Sequence, residues 1–264
     1  MNPESPGDDS IRVYWQPGCT SCLRTKEYLA MHGIPFISRN VLADAAAFDE
    51  LARFGLRQVP IVTRGNAWAN GQVNADVAAL VGIGRDDVPM LPVRELKRRL
   101  DLLLPSALRY FAQVPDGKLD AQLPNRPRSY SELAYHVFNI VDAFLEEKAG
   151  QPLVYESFYR VPPPGQGSRA HILAYGADVR KRLDAWFAAP GRDFEWGQRA
   201  DVYYGSQSQH QFLERTTWHS MQHTRQLMWV LQDLLGIAPS EPLTAELFKG
   251  LPMPEQVWED DLVA

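Results

Sequence analysis

The chain contains two cysteines among its 264 residues, and they stand three positions apart, at Cys19 and Cys22. Their setting constrains the N-terminal third of the molecule more than any other feature. Residues 11–15 (IRVYW) read as a short buried strand and Gln16-Pro17-Gly18 as a turn. From Cys19 to Gly33 the pattern becomes helical, with Leu23, Tyr28, Leu29 and Met31 set among Arg24, Lys26 and Glu27. A cysteine at a helix N-terminus meets free backbone N–H groups and the positive end of the helix dipole, both of which favour a thiolate. A second cysteine nearly one turn later can attack a mixed disulfide made at the first. Cys19 is therefore the candidate nucleophile and Cys22 the candidate resolving thiol. A structural bridge so short would close almost no loop entropy. A cysteine-only zinc site would need two more cysteines than the chain has; a mixed site borrowing histidines is the weaker reading.

The downstream pattern continues as strand and helix in alternation. Residues 34–38 read as a strand, 43–54 as a helix ending before Gly55, and 59–62 as a strand. A turn at Gly65-Asn66, a short strand through 68–71 and a helix over 74–81 complete a β-α-β-α-β-β-α module. Residues 82–92 are rich in Gly, Asp and Pro and read as a connection. Beyond it the period changes to that of long amphipathic helices, over 93–112 (with a bend expected at Pro105), 129–149, 169–188 and 208–235. Ser129 or Ser131 is the expected N-cap of the second. Residues 152–168, with Pro162-Pro163-Pro164-Gly165, read as a loop, and no strand is expected in this half. The segments are thus a polar N-terminus (1–10), an α/β domain (11–83), a linker (84–92), a helical bundle (93–238) and a loosely packed tail (239–264).

The histidines of the helical half carry the second signal. His219 and His223 lie four apart on one helix and share a face with Phe212, Thr216, Leu227, Val230 and Leu234. His136 shares its face with Leu133, Ile140 and Phe144. All three are expected to point inward. A buried imidazole needs a partner: for a lone histidine a neighbouring carbonyl or hydroxyl suffices, while a convergent set suits a divalent metal. His210 falls about half a turn off that face and is expected at the surface; His171 and His32 sit at helix ends, where capping or solvent roles are the default. Tyr203, Tyr204 and Trp218 read as core or rim packing.

Two family resemblances extend these readings. Residues 13–22 (VYWQPGCTSC), Val59-Pro60, and Gly71 followed by Asp76 resemble a glutaredoxin. That resemblance implies a thioredoxin-like fold over 11–83, with Pro60 cis and facing the cysteines and the Val59 backbone pairing with a bound thiol peptide. Residues 128–136 (RSYSELAYH) and 218–226 (WHSMQHTRQ) resemble the two signature helices of the DinB-like family. That resemblance implies a four-helix bundle over 93–236 with a divalent metal on His136, His219 and His223, and allows a homodimer. Zinc, nickel and iron are not distinguished.

The expected architecture is α/β followed by all-α. Some DinB-like relatives are transferases using low-molecular-weight thiols, and a metal lowers a bound thiol's pKa. The leading expectation is accordingly a thiol-dependent enzyme, in which a Cys-x-x-Cys disulfide reductase module serves a metal-assisted thiol transferase site, with glutathione or a similar thiol as co-substrate. The alternatives are a simple glutaredoxin-type reductase with a non-catalytic bundle, and a redox- or metal-responsive binding protein. The formal charge of −5 gives no electrostatic case for nucleic acid. The polar, acidic start lacks the form of a secretory signal, and charged residues and histidines interrupt the long apolar helices. A cytoplasmic protein acting on a small thiol or disulfide, without membrane or nucleic-acid partners, is expected.

Overall fold

The computed structural model describes residues 9–84, 89–124, 126–189, 191 and 193–259. The chain divides into two compact units, Met1–Val88 with Pro254–Ala264, and Pro89–Met253.

In the first unit, strands β1 (Ile11–Trp15), β2 (Ile37–Asn40), β3 (Ile61–Arg64) and β4 (Ala67–Asn70) form one sheet in the order β2-β1-β3-β4. β1 runs parallel to β2 and antiparallel to β3, and β3 and β4 form a hairpin. Helices α1 (Thr20–Met31), α2 (Ala45–Ala52) and α3 (Asn74–Val81) complete it. Successive residues of a strand point to opposite faces, and here both faces are covered. Val13 packs with Leu29, Val62 and Val77, while Tyr14 packs with Cys22, Leu51 and Ile61. This is the expected thioredoxin-like arrangement.

Two strands begin later than their apolar pattern predicts, both because of proline, which has no N–H to give a ladder. β2 starts at Ile37 rather than at 34, and Ile34 and Phe36 pack against the core without pairing. β3 starts at Ile61, after a cis Val59–Pro60 bond. The side chain of Asp44 accepts from the Ala46 N–H and so sets the start of α2.

The second unit is a bundle of α4 (Val93–Gln113), α5 (Tyr130–Lys148), α6 (Arg169–Ala188) and α7 (Gln209–Trp229), the last followed by a π-helical turn, Val230–Leu234. α6 and α7 lie diagonally across the bundle, each against both α4 and α5. Ser129 caps α5 in a capping box with Glu132, and Ser208 caps α7 in one with Gln211. α6 approaches α5 where Gly176 faces the Phe138 ring, leaving no room for a Cβ. Pro105 does not end α4, which continues to Gln113. A two-stranded ladder of β5 (Arg199–Ala200) and β6 (Gln207–Ser208) precedes α7, where no strand is expected from the sequence. Among the described residues no helix is long and apolar enough to cross a membrane.

The expectation of a loosely packed tail after Pro239 is corrected. Tyr110 OH donates to the Glu241 carbonyl and accepts from the Leu243 N–H, both at 2.9 Å, and Arg99 donates to the Glu246 carbonyl at 2.7 Å. These bonds bind the tail's first half to the bundle, while residues from Pro254 onward belong to the first unit. Proline content and acidity did not reveal this, because these bonds go to backbone groups of the tail, which no side-chain pattern announces. Of the expected linker, residues 85–88 lie outside the described residues, as do 1–8 of the N-terminus and 260–264 of the tail.

Candidate redox and metal sites

Cys19 is the N-cap of α1, and its Sγ accepts from the Cys22 N–H at 3.2 Å. The two cysteines are joined by a disulfide with their Cα atoms 5.2 Å apart. Cys22 is fully buried against Tyr14, Val59 and Ile61, with Cys19 partly buried at the edge of the same cluster. Once the bond is opened, the N–H aimed at Sγ and the dipole of α1 favour a thiolate at Cys19.

Val59 and Pro60 are held beside this helix by a set of backbone bonds that sequence reasoning did not identify. The Gly71 N–H donates to the Pro60 carbonyl at 2.9 Å, and Thr25 Oγ1 donates to the Gly71 carbonyl at 2.7 Å. Arg24 adds a bond to the Gln72 carbonyl at 2.7 Å. A Cβ on Gly71 would stand 2.8 Å from Thr25 Oγ1 and 2.9 Å from Pro60 Cβ, so only glycine fits. Lys26, buried on α1, sets its ammonium 3.6 Å from the Trp15 ring centroid.

In the bundle, α5 contributes His136 and α7 contributes His219 and His223, all buried. Each offers one ligand atom to a group whose members lie within 4.8 Å of one another. His136 meets His223 edge-on at 4.6 Å and His219 at 5.7 Å between ring centroids, and Trp218 stacks against His219 at 5.2 Å. Among the described residues, His219 Nδ1 and His223 Nε2 are buried without a hydrogen-bond partner. Bare imidazole nitrogens facing no protein acceptor or donor fit a metal better than they fit a packed core. The cluster can therefore coordinate a divalent metal ion.

The electrostatics agree with neutral, ligand-ready imidazoles. Burial pushes His136 and His219 well below the ordinary histidine value, reinforced by the positive charges of Arg128 and Arg215. Burial first, then Arg128, lowers His223 to about 3, against the opposing bond to Gln226. Arg215 lies one turn before His219 on α7, its guanidinium 4.7 Å from the Phe158 ring and 4.5 Å from that of Tyr204. Gln226, Arg128 and Arg215 are the residues of this site that sequence reasoning missed. Gln226 and Arg215 stood at helical spacing from the histidines, three after His223 and four before His219. Arg128, ahead of the N-cap of α5, had no such signal.

The remaining histidines do other things. His171 meets Ser168 Oγ at 2.9 Å at the start of α6, and His32 ends α1 with Nδ1 2.8 Å from the Tyr28 carbonyl. His210, expected at the surface, is half-buried with Nε2 2.8 Å from the Leu91 carbonyl. The chain path before α4, invisible to helix geometry, brings that carbonyl to it.

Residues 11–67 match the glutaredoxin family and residues 99–227 match the DinB superfamily. Among curated proteins the chain is similar to the global transcriptional regulator Spx 2 of Lactococcus lactis subsp. lactis, 42% identical over 43 residues, which are 16% of this chain and 33% of that protein. It is equally similar to the global transcriptional regulator Spx of Lactococcus lactis subsp. cremoris. The Spx of Bacillus subtilis is 37% identical over 41 residues, 16% of this chain and 31% of that protein. The chain thus spans about a third of the length of these relatives.

These relatives correct the expectation of an enzyme. They are named as regulators of transcription, which overturns both the thiol–disulfide oxidoreductase and the thiol transferase readings. The physical reason is that cysteine spacing reports the capacity for thiol–disulfide exchange. It does not report whether the exchange is turned over on a substrate or read out as a state.

Proposed function

Because this chain is a glutaredoxin-like domain fused to a DinB-like domain, we propose that it is a redox-responsive binding protein. The Cys19–Cys22 pair is the responsive element, and the three-histidine centre is the metal-holding one. The observation that carries this reading is the disulfide at the N-terminus of α1, in a chain similar to transcriptional regulators. Opening that bond changes the charge and the donors at the end of a helix, and so changes the surface presented there.

The partner in this reading is a protein. A formal charge of −5 disfavours direct contact with a nucleic-acid backbone. A cytoplasmic location suits it, since a pair that cycles needs a reducing compartment. Glutathione, or another low-molecular-weight thiol, then serves as the reductant that restores the dithiol. Three imidazoles suit zinc, nickel or iron and leave coordination positions for water or a ligand.

The test compares oxidised and dithiol-reduced full-length protein by hydrogen exchange, alongside metal analysis and an assay of small-disulfide turnover. The expected result is a protection change around α1 and the Val59–Pro60 loop, one bound metal per chain, and no catalytic turnover. Identical exchange in the two states, or rapid multiple turnover of a small disulfide, overturns the reading.

A further inference from the structure

The last described residues of the chain, 254–259, lie against the cysteine helix within the first unit, where backbone N–H groups and carboxylates join the two. The Gly18 N–H, one residue before Cys19, donates to Glu259 Oε2 at 3.0 Å. On the next turns of α1, Glu27 receives the chain with both carboxylate oxygens: Oε2 accepts from the Glu255 N–H at 2.7 Å and Oε1 from the Gln256 N–H at 3.1 Å. Trp258, between these anchors, is buried. A carboxylate thus sits at the turn that presents the cysteines, placed there by a segment more than two hundred residues distant in sequence.

We propose that this C-terminal segment is an internal ligand of the cysteine loop, docked while Cys19 and Cys22 are joined and released when they are reduced. The inference rests on the redox-responsive reading and names its moving part. Reduction by a dithiol breaks the Cys19–Cys22 bond with two electrons and two protons, while the dithiol closes its own disulfide. Cys19 then gives its proton to solvent, because the N-terminus of α1 favours the thiolate. The new negative charge lies on the residue that follows the N–H already used by Glu259. Two anions now compete for the positive end of one helix, and like charges at this range repel. The thiolate is fixed to the helix by its own backbone, whereas Glu259 is held by a segment that can leave. Release uncovers the Gly18 N–H and Glu27, two groups suited to a peptide of the same kind, with an acidic side chain and free backbone N–H groups.

The linkage is reciprocal: whatever weakens docking must make the disulfide easier to reduce. Hydrogen exchange of the full-length protein reads the segment directly. The Glu255 and Gln256 amides are expected to exchange at least about tenfold faster after dithiol reduction. Glu259→Gln removes the competing charge, and Glu27→Gln loosens the other anchor while leaving Glu259 intact. Either variant is expected to shift the equilibrium with a dithiol buffer toward the reduced protein by about tenfold, a midpoint about 30 mV less negative. Unchanged exchange at Glu255 and Gln256, with changes around α1 on reduction, overturns the inference and leaves the redox-responsive reading standing. An unshifted midpoint in both variants also overturns it. No change anywhere on reduction overturns both.

Discussion

His223 Nδ1 donates to the side-chain oxygen of Gln226 at 2.6 Å, three residues further along α7. That bond places the ring proton on Nδ1 and leaves the lone pair on Nε2, which is buried without a hydrogen-bond partner among the described residues. A metal-ligating histidine commonly has its second nitrogen engaged in this way, which fixes the tautomer and the ring orientation. Gln226 thus fixes the His223 ring with Nε2 turned toward the histidine cluster that can hold an ion.

Replacing Gln226 by Ala is expected to weaken metal affinity by about 10–100-fold, since the ring then loses both tautomer and orientation. Gln226→Glu retains an acceptor and is expected to preserve binding. Competition with a chromophoric chelator measures both, and equal affinity in all three proteins would remove the positioning role.

His219→Ala removes one of the three clustered imidazoles and is expected to leave less than one equivalent of metal after dialysis. In the unaltered protein, metal at about 100 times Kd should add about 2.7 kcal/mol of stability. The variant should gain almost none. Thermal melts with and without added zinc or nickel check this, with far-ultraviolet circular dichroism confirming that the bundle persists.

The metal-free protein should lose stability on mild acidification. His223 falls from 6.5 to about 3 in the folded state, chiefly through burial, with His136 and His219 also well below the ordinary value. The unfolded chain therefore binds more protons than the folded one below about pH 6.5. The stabilising contribution is fully present above that value and declines as pH falls toward the folded values. Urea unfolding of chelator-treated protein between about pH 7.5 and about pH 5 should show the midpoint falling. A midpoint independent of pH would contradict the burial of neutral imidazoles.

Gly71→Ala should destabilise the first unit by about 1–3 kcal/mol, because its Cβ would press on Pro60 and on Thr25 Oγ1. The same change should disturb the Thr25–Gly71–Pro60 chain of bonds that sets the loop beside the cysteines. Denaturant unfolding of the oxidised protein measures the first effect. Hydrogen exchange at Gly71 itself reports the second.

Sequence and structure agree most closely where the controlling contacts are local. The bounds of α3 and α6 coincide with the predicted helices, and Ser129 caps α5 as its residue type implies. Disagreement appears where a single residue overrides a pattern. Pro35 and Pro60 delay two strands that their apolar neighbours would have begun earlier. Pro105, by contrast, lies within α4, which runs on to Gln113.

The same division runs through the candidate sites. Spacing along the chain alone put Cys22 within reach of Cys19 and His219 on one face with His223, because a helix repeats every few residues and carries those relations in its own geometry. The approach of His136 to that pair was legible only as a shared inward direction; its ring distances belong to the packing of α5 on α7. Nothing local announced that Arg128 charges the histidine cluster, that Gly71 braces Pro60, or that Glu259 reaches the Gly18 N–H. Those contacts join residues whose separation along the chain says nothing of their separation in space, and only the folded path of the backbone decides them.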